Sequence, residues 1–331
     1  MLHILRFWYH NARPRALPQS LLPALLAACL AARTDGFSGG LAFLAVLGVV
    51  CGHLAANLFD DYFDYREHRT DYRDHLKHEG FRARVGKCLY LASGQATLAQ
   101  LLLAARIFTG SALFLGCIIL YFRGWMIFWI AGATALLSLF YSGPPVRLSY
   151  RGLGEITIGL LFGPMNMLGV YYAACGEISA TLILISIPVG LLVMNIVYVH
   201  SILDFIPDKK IGKRTLAVLL NRHASMLAVL FLVLFSPYAI IGFGIWHGDL
   251  SRLHALLLLT LPLAAALFHM MLAYTRRPEL KFSRKPWMGP MSEWRHIESI
   301  GIDWFMIRWF LARNLLASLC LIGMLLTFVG A

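Results

Sequence analysis

The chain has 331 residues, of which 59% are hydrophobic and 14% charged, and its formal net charge is +12. A soluble domain carries about 25% charged residues, so this composition excludes an ordinary soluble fold. The positive charge does not make a nucleic-acid surface either, because the cations are sorted between apolar runs.

Nine such runs follow one another along the chain: 17–34, 38–59, 95–121, 125–141, 152–175, 180–205, 224–246, 253–274 and 306–329. Each is expected to be long enough to cross a hydrocarbon core of about 30 Å. An open sheet would leave backbone groups unsatisfied in lipid, so the spans are expected to be helices. The fold class is therefore all-α: a polytopic membrane protein of nine transmembrane helices, read as a single domain over 1–331. The first residues are aromatic and basic and lack a small-residue cleavage pattern, so no cleavable signal peptide is expected.

With nine spans, the loops alternate between two sides. The side of the N-terminus holds 23 of the 29 Lys and Arg residues, and the opposite side holds 3. This asymmetry is the positive-inside signal. It places the N-terminus and the long polar stretches (60–94, 206–223 and 275–304) in the cytoplasm, on a cell's inner membrane. The last of these mixes Pro, Trp and charge and reads as an interfacial connector. Six scattered cysteines without a C-x-x-C pair indicate packing residues, not a zinc site or a disulfide framework.

The second run ends in "ANLFDDYFDYREHRTDYRD". In a helix, Asn57, Asp60, Asp61 and Asp64 fall at i, i+3, i+4 and i+7, which is one face. Three carboxylates there need a partner. A hard divalent cation fits, since Mg²⁺ takes oxygen ligands, usually one or two carboxylates together with substrate phosphates. The sixth run ends in "HSILDFIPDKKIGKRTLAV". Asp204 and Asp208 are four apart, but Pro207 disfavours helix at Ile206, so the span is expected to end near Phe205 with Asp208 in a turn. Lys209, Lys210, Lys213 and Arg214 follow at once. Carboxylates for a metal beside cations for phosphate oxygens make a diphosphate site. Each segment alone reads equally well as a solvated loop; two of them, ending spans on the same side, favour function. Between them, "YSGPPVRLSYRGLGEITIGLLFGP" is a tight connection with small residues for close packing. It brings Tyr141, Arg147, Tyr150 and Arg151 to the cytoplasmic end.

These stretches together resemble the UbiA superfamily of intramembrane prenyltransferases, and within it the MenA-type 1,4-dihydroxy-2-naphthoate prenyltransferases. "ARPRALPQSLLPALL" is similar to the family's A-R-P-x-x-L-P. "NLFDDYFDY" resembles N-L-x-N-D-Y-x-D-Y, so Asn57, Asp61 and Asp64 match the first motif. "YSGPP…YRGLGE…FGP" resembles Y-T-G-P-x…Y-x-G-L-G-E…F-G-P. "LDFIPDKKIGKRTLAV" resembles R-D-I-x-x-D-x-x-x-G-K-R-T-L-A-V, so Asp204 and Asp208 match the second.

The resemblance implies nine helices around a membrane-open cavity and transfer of a polyprenyl group from its diphosphate to an aromatic ring, with Mg²⁺. Asp60, Asp61, Asp64, Asp204 and Asp208 are the expected metal ligands. Lys209, Lys213, Arg214 and Arg147 would meet the diphosphate. Tyr141 and Tyr198 would offer π faces to an allylic cation. The expected partners are a polyprenyl diphosphate, an aromatic acceptor and the bilayer.

Departures from the pattern bear on the acceptor. Asp60 stands where the family has Asn. His200, Ser201 and Leu203 stand where it has Asn, Asn and Arg. The stretch after Tyr65 is longer than the family's loop, and its His68, His75 and His78 read as a solvated face. Other acceptors (4-hydroxybenzoate, homogentisate, a lipid ether or a pigment) are the alternatives within the superfamily. A cation-coupled transporter is an alternative outside it; transporter sites usually lie near the midplane on broken helices, whereas these carboxylates end their spans. A diphosphate-binding scaffold without turnover is a third reading.

Overall fold

The computed structural model describes residues 2–68, 88–210 and 212–330. These residues form helices, turns and connections, with no strand among them. They fall into two compact units: Met1–Leu148 with Met165–Ile178, and Ser149–Pro164 with Ser179–Ala331.

The first unit begins with α1 (Leu2–Asn11), a 3₁₀ turn at Pro14–Ala16 and α2 (Pro18–Ala31). It continues with α3 (Gly39–His68), the short α4 (Leu89–Ala92), α5 (Leu98–Arg123) and α6 (Trp125–Ser142). Thr97 and Gln100 form a reciprocal capping box that fixes the start of α5. The second half of α7 (Gly154–Cys175) also belongs here. It packs on α2 and α3, while α5 packs on α3 and α6. Polar anchors tie these helices together. Asn166 donates to the Ser20 carbonyl at 2.8 Å, and Ser20 Oγ lies 2.6 Å from His53 Nδ1. Arg123 donates to the carbonyls of Ala173 and Ala174, so a cation satisfies the open C-terminus of α7.

The second unit holds the first half of α7, α8 (Ala180–Leu203), α9 (Phe205–Lys210), α10 (Leu216–Leu220) and α11 (His223–His247). It ends with α12 (Arg252–Arg276, 3₁₀ in its first nine residues), α13 (Trp294–Ser299) and α14 (Asp303–Val329). The central helix is α8, which contacts α7, α11 and α14. Close approach to α7 depends on glycine: a Cβ on Gly163 would stand 2.2 Å from Gly190 Cα. The connector before α14 is folded, not loose. Asn314 donates to the carbonyls of Met288 and Pro290, and Met288, Met291, Trp294 and Ile297 are buried.

Eight helices are long and apolar enough to cross a membrane among the described residues. They correspond to eight of the nine expected spans. The remaining run, 17–34, forms only the 14-residue α2, about 21 Å long at 1.5 Å per residue. It starts at Pro18, with the proline at the favoured first position, and the chain leaves the helix after Ala31, short of the expected end at 34. At the other extreme, α3 runs past the expected end at 59, so its acidic segment is helical.

Candidate active site

The first acidic motif lies in the last three turns of the described part of α3. Asp61 and Asp64 are buried, at 1% and 5% exposure. Their surroundings come from far along the chain. Arg13 takes the left-handed conformation, φ 58°, which is uncommon for a residue other than glycine. Its Nη2 reaches the Asn57 carbonyl at 2.9 Å, Asp60 Oδ2 at 3.0 Å and Asp61 Oδ1 at 3.2 Å. Asn57 returns a bond to the Ala12 carbonyl at 2.9 Å. Tyr90 donates to Asp61 Oδ2 at 3.2 Å, and Ser142 donates to Asp60 Oδ1 at 2.6 Å. Burial pulls the Arg13 pKa down, but Asp61 and Asp60 outweigh it and hold the guanidinium above its ordinary range. The Tyr90 phenol is pushed up, first by burial and then by the Asp61 charge, so it stays a donor.

The second motif lies at a break in the chain. Asp204 caps α8, and α9 starts at Phe205. Asp208 is therefore in a short helix, not in a turn. Pro207 sits in the first turn of α9, where the missing N–H is tolerated. Asp204 and Asp208 are buried, at 5% and 1% exposure. His200 Nε2 lies 3.0 Å from Asp204 Oδ2. The Asp208 N–H returns to the Asp204 carbonyl at 2.8 Å, and the Lys213 N–H returns to the Asp208 carbonyl at 2.9 Å. These two bonds curl the chain so that its cations follow the carboxylates closely. Lys209 is exposed and bonds Asn221 Oδ1 at 2.8 Å; Lys213 stands over the Tyr150 ring; Arg214 is exposed.

Tyr141 is half-buried near the end of α6, and Arg147 is half-buried with φ 52°. Tyr198 is fully buried, and its hydroxyl donates to the Met226 carbonyl at 3.0 Å. Asp71, Asp74, His75, His78 and the side chain of His68 lie outside the described residues.

Sequence reasoning did not assign roles to Arg13, Tyr90, Ser142 or Glu155. Arg13 was visible in the A-R-P stretch and Glu155 in the G-L-G-E stretch; nothing local marks Tyr90 or Ser142. Among the described residues, no group of three or more His, Cys, Asp or Glu side chains could hold a metal ion. The carboxylates are hard oxygen donors in small sets, which suits an ion that completes its shell with phosphate and water.

A family model described as the UbiA prenyltransferase family matches residues 20–288. The chain is 26% identical to a 1,4-dihydroxy-2-naphthoate octaprenyltransferase of Haemophilus influenzae, over 79% of this chain and 84% of that protein. It is 31% identical to a protein of the same name from Bacillus subtilis, over 56% of this chain and 57% of that one. Among solved structures it is similar to a digeranylgeranylglyceryl phosphate synthase, with a TM-score of 0.62, 15% identity, and 99% and 98% of the two chains covered. It is also similar to a UbiA homolog from Archaeoglobus fulgidus bound to GPP and Mg²⁺, with a TM-score of 0.61, 14% identity, and 93% and 99% covered. At these identities the two structures speak for the fold alone.

Proposed function

The chain belongs to the UbiA prenyltransferase family, and from that premise we propose that it transfers a polyprenyl group from its diphosphate to 1,4-dihydroxy-2-naphthoate, at the cytoplasmic face of a cell's inner membrane. One observation carries the chemistry: Asp61, Asp64, Asp204 and Asp208 are all buried where long apolar helices give way to polar chain. Buried carboxylates are expensive and mark ion or substrate sites. The names of the relatives from Haemophilus influenzae and Bacillus subtilis support the acceptor.

Asp61, Asp64, Asp204 and Asp208 would hold Mg²⁺. When bound, the ion supplies positive charge against the diphosphate oxygens. Lys209, Lys213, Arg214 and Arg147 add charge-assisted bonds to those oxygens. The allylic C–O bond breaks, and its electron pair leaves with the diphosphate. The electron-rich ring attacks the allylic carbon at the position bearing its carboxyl group. The bond to that carboxyl breaks, its electrons restore the aromatic ring, and CO₂ leaves.

Tyr141, half-buried, offers a π face toward the allylic cation. Tyr198 offers the second π face, and its hydroxyl donates to the Met226 carbonyl, which braces α8 against α11. Asp60, held by Arg13 and Ser142, joins the N-terminal segment to α3 and α6, and its charge is already met by the guanidinium.

The test is turnover by the purified protein in bilayer discs with a polyprenyl diphosphate, Mg²⁺ and single acceptors. The expected result is prenylated naphthoquinol with equimolar CO₂. Transfer only to 4-hydroxybenzoate or homogentisate would overturn the acceptor, and full turnover in excess EDTA would overturn the metal.

A further inference from the structure

We infer that Glu155 is a positioning residue that sets the diphosphate-binding residues Lys213 and Arg214 through a single carboxylate oxygen. This rests on the prenyl-diphosphate reading and adds a residue that the reading does not use.

Glu155 lies in the first turn of α7 and is 2% exposed. Its Oε1 accepts from Ser201 Oγ at 2.6 Å and from the Leu216 backbone N–H at 3.1 Å. Ser201 is three residues before Asp204, near the end of α8. Leu216 is two residues after Arg214 and opens α10. One oxygen therefore joins the start of α7, the approach to the second aspartate motif, and the exit from the cationic segment.

The other end of that segment is closed by the Lys213-to-Asp208 backbone bond. The segment is thus pinned on both sides of Lys213 and Arg214. Local packing supports the clamp. Gly152, φ +76°, lies so close to the chain at Leu219 that a Cβ there would stand 2.0 Å from Leu219 Cδ1. That contact holds the turn before Glu155 against α10. Thr215, between the cations and Leu216, is buried.

The short hydroxyl of Ser201 donates to Glu155 and also lies 3.2 Å from the Val197 carbonyl. A buried carboxylate needs donors, and two come from the segments it must align. Lys213 and Arg214 are long, flexible side chains; an aligned backbone reduces the freedom lost when they grip an anion.

The inference separates Glu155 from a residue needed only for folding. A glutamine keeps Oε1, and with it both acceptor bonds; an alanine keeps neither. With geranyl diphosphate as donor, Glu155→Ala is expected to raise the donor KM about tenfold. Its kcat and acceptor KM should stay within about threefold of wild type, the pattern of lost uniform binding. Glu155→Gln should restore donor KM to within about threefold. Trypsin should cut after Lys213 and Arg214 faster in the alanine variant than in wild type or the glutamine variant. Ser201→Ala, which removes one of the two bonds, should show a smaller shift in the same direction and serves if Glu155→Ala does not fold.

Wild-type turnover is measured first, so that failure of the prenyl-diphosphate reading is seen independently. With an active wild type, unchanged donor KM and unchanged trypsin cutting in the alanine variants would overturn the inference. So would a glutamine variant as impaired as the alanine one.

Discussion

The two aspartate motifs solve the same electrostatic problem in opposite ways. In the first, the compensating groups are distant in sequence: Arg13 lies 47 residues before Asp60, Tyr90 lies 29 after Asp61, and Ser142 lies 82 after Asp60. They converge on one continuous helix, α3, which needs no break to present its acidic face. In the second, the named partners are local. His200 precedes Asp204 by one turn, and Lys213 closes on Asp208 through the backbone. Here the chain itself breaks and re-forms as α9. The first motif is held by side chains from distant parts of the chain, and the second by the path of its own backbone together with the Glu155 carboxylate. Damage should therefore read out differently: as loss of stability around the first, and as loss of ligand affinity around the second.

The largest expected effect is common to both. Asp61→Asn and Asp204→Asn keep shape and remove charge, and each should lower kcat by about 10²–10³-fold. A rate assay at saturating Mg²⁺ and donor checks this; full activity in either variant would remove that residue from the ligand set. Next comes the second motif's cationic segment. Lys213→Ala and Arg214→Ala should each weaken prenyl diphosphate binding by about 1.5–3 kcal/mol, the value of a charge-assisted bond. Melting temperature should hardly move. Unchanged affinity in both would leave these cations as topology signals only.

The first motif should show the reverse pattern. Arg13→Ala leaves Asp60 and Asp61 without the guanidinium between them, so like charges repel. The metal-free protein should melt earlier, and added Mg²⁺ should raise its melting temperature more than it raises that of wild type. Asp60→Asn alone should stay within about threefold of wild-type activity, since the carboxamide keeps shape. In the Arg13→Ala background it should recover stability, a non-additivity that marks direct coupling. If Arg13→Ala melts as wild type does, the contrast between the motifs fails.

A smaller effect concerns pH. The Tyr90 phenol is held above its usual value of 10.0. Below pH 10 it is protonated both folded and unfolded, and its contribution is fully present. As pH rises past 10 the unfolded chain ionises first, so that contribution is lost. Denaturant titrations should show a constant advantage of wild type over Tyr90→Phe at pH 8–9 that narrows above 10. An advantage that grows above 10 would contradict the assignment.

How far the sequence was legible follows the same division. Spacing alone put Asn57, Asp60, Asp61 and Asp64 on one helical face, and α3 does carry them. Helix periodicity and apolar length are local properties, so eight spans were readable to within a few residues or one or two turns. The run at 17–34 also forms an apolar helix, shorter than expected because the chain turns after Ala31. Pro207 was read as a breaker at the second motif. It is one, but the chain resumes as helix at once, with proline in the first turn where it does no harm. Tyr90 and Ser142 left no signal, since a hydroxyl that meets a carboxylate across 29 or 82 residues has no spacing rule. The Tyr198 hydroxyl bond to the Met226 carbonyl, across 28 residues, likewise follows no spacing rule.

The central claim is that both motifs serve the same Mg²⁺-dependent hold on a prenyl diphosphate. Calorimetric titration of geranyl diphosphate into the purified protein tests it directly, with and without Mg²⁺, for wild type, Asp61→Asn and Asp204→Asn. The account expects tight binding to wild type only with Mg²⁺, and its loss in both variants. Mg²⁺-dependent binding at wild-type affinity in either variant would contradict it.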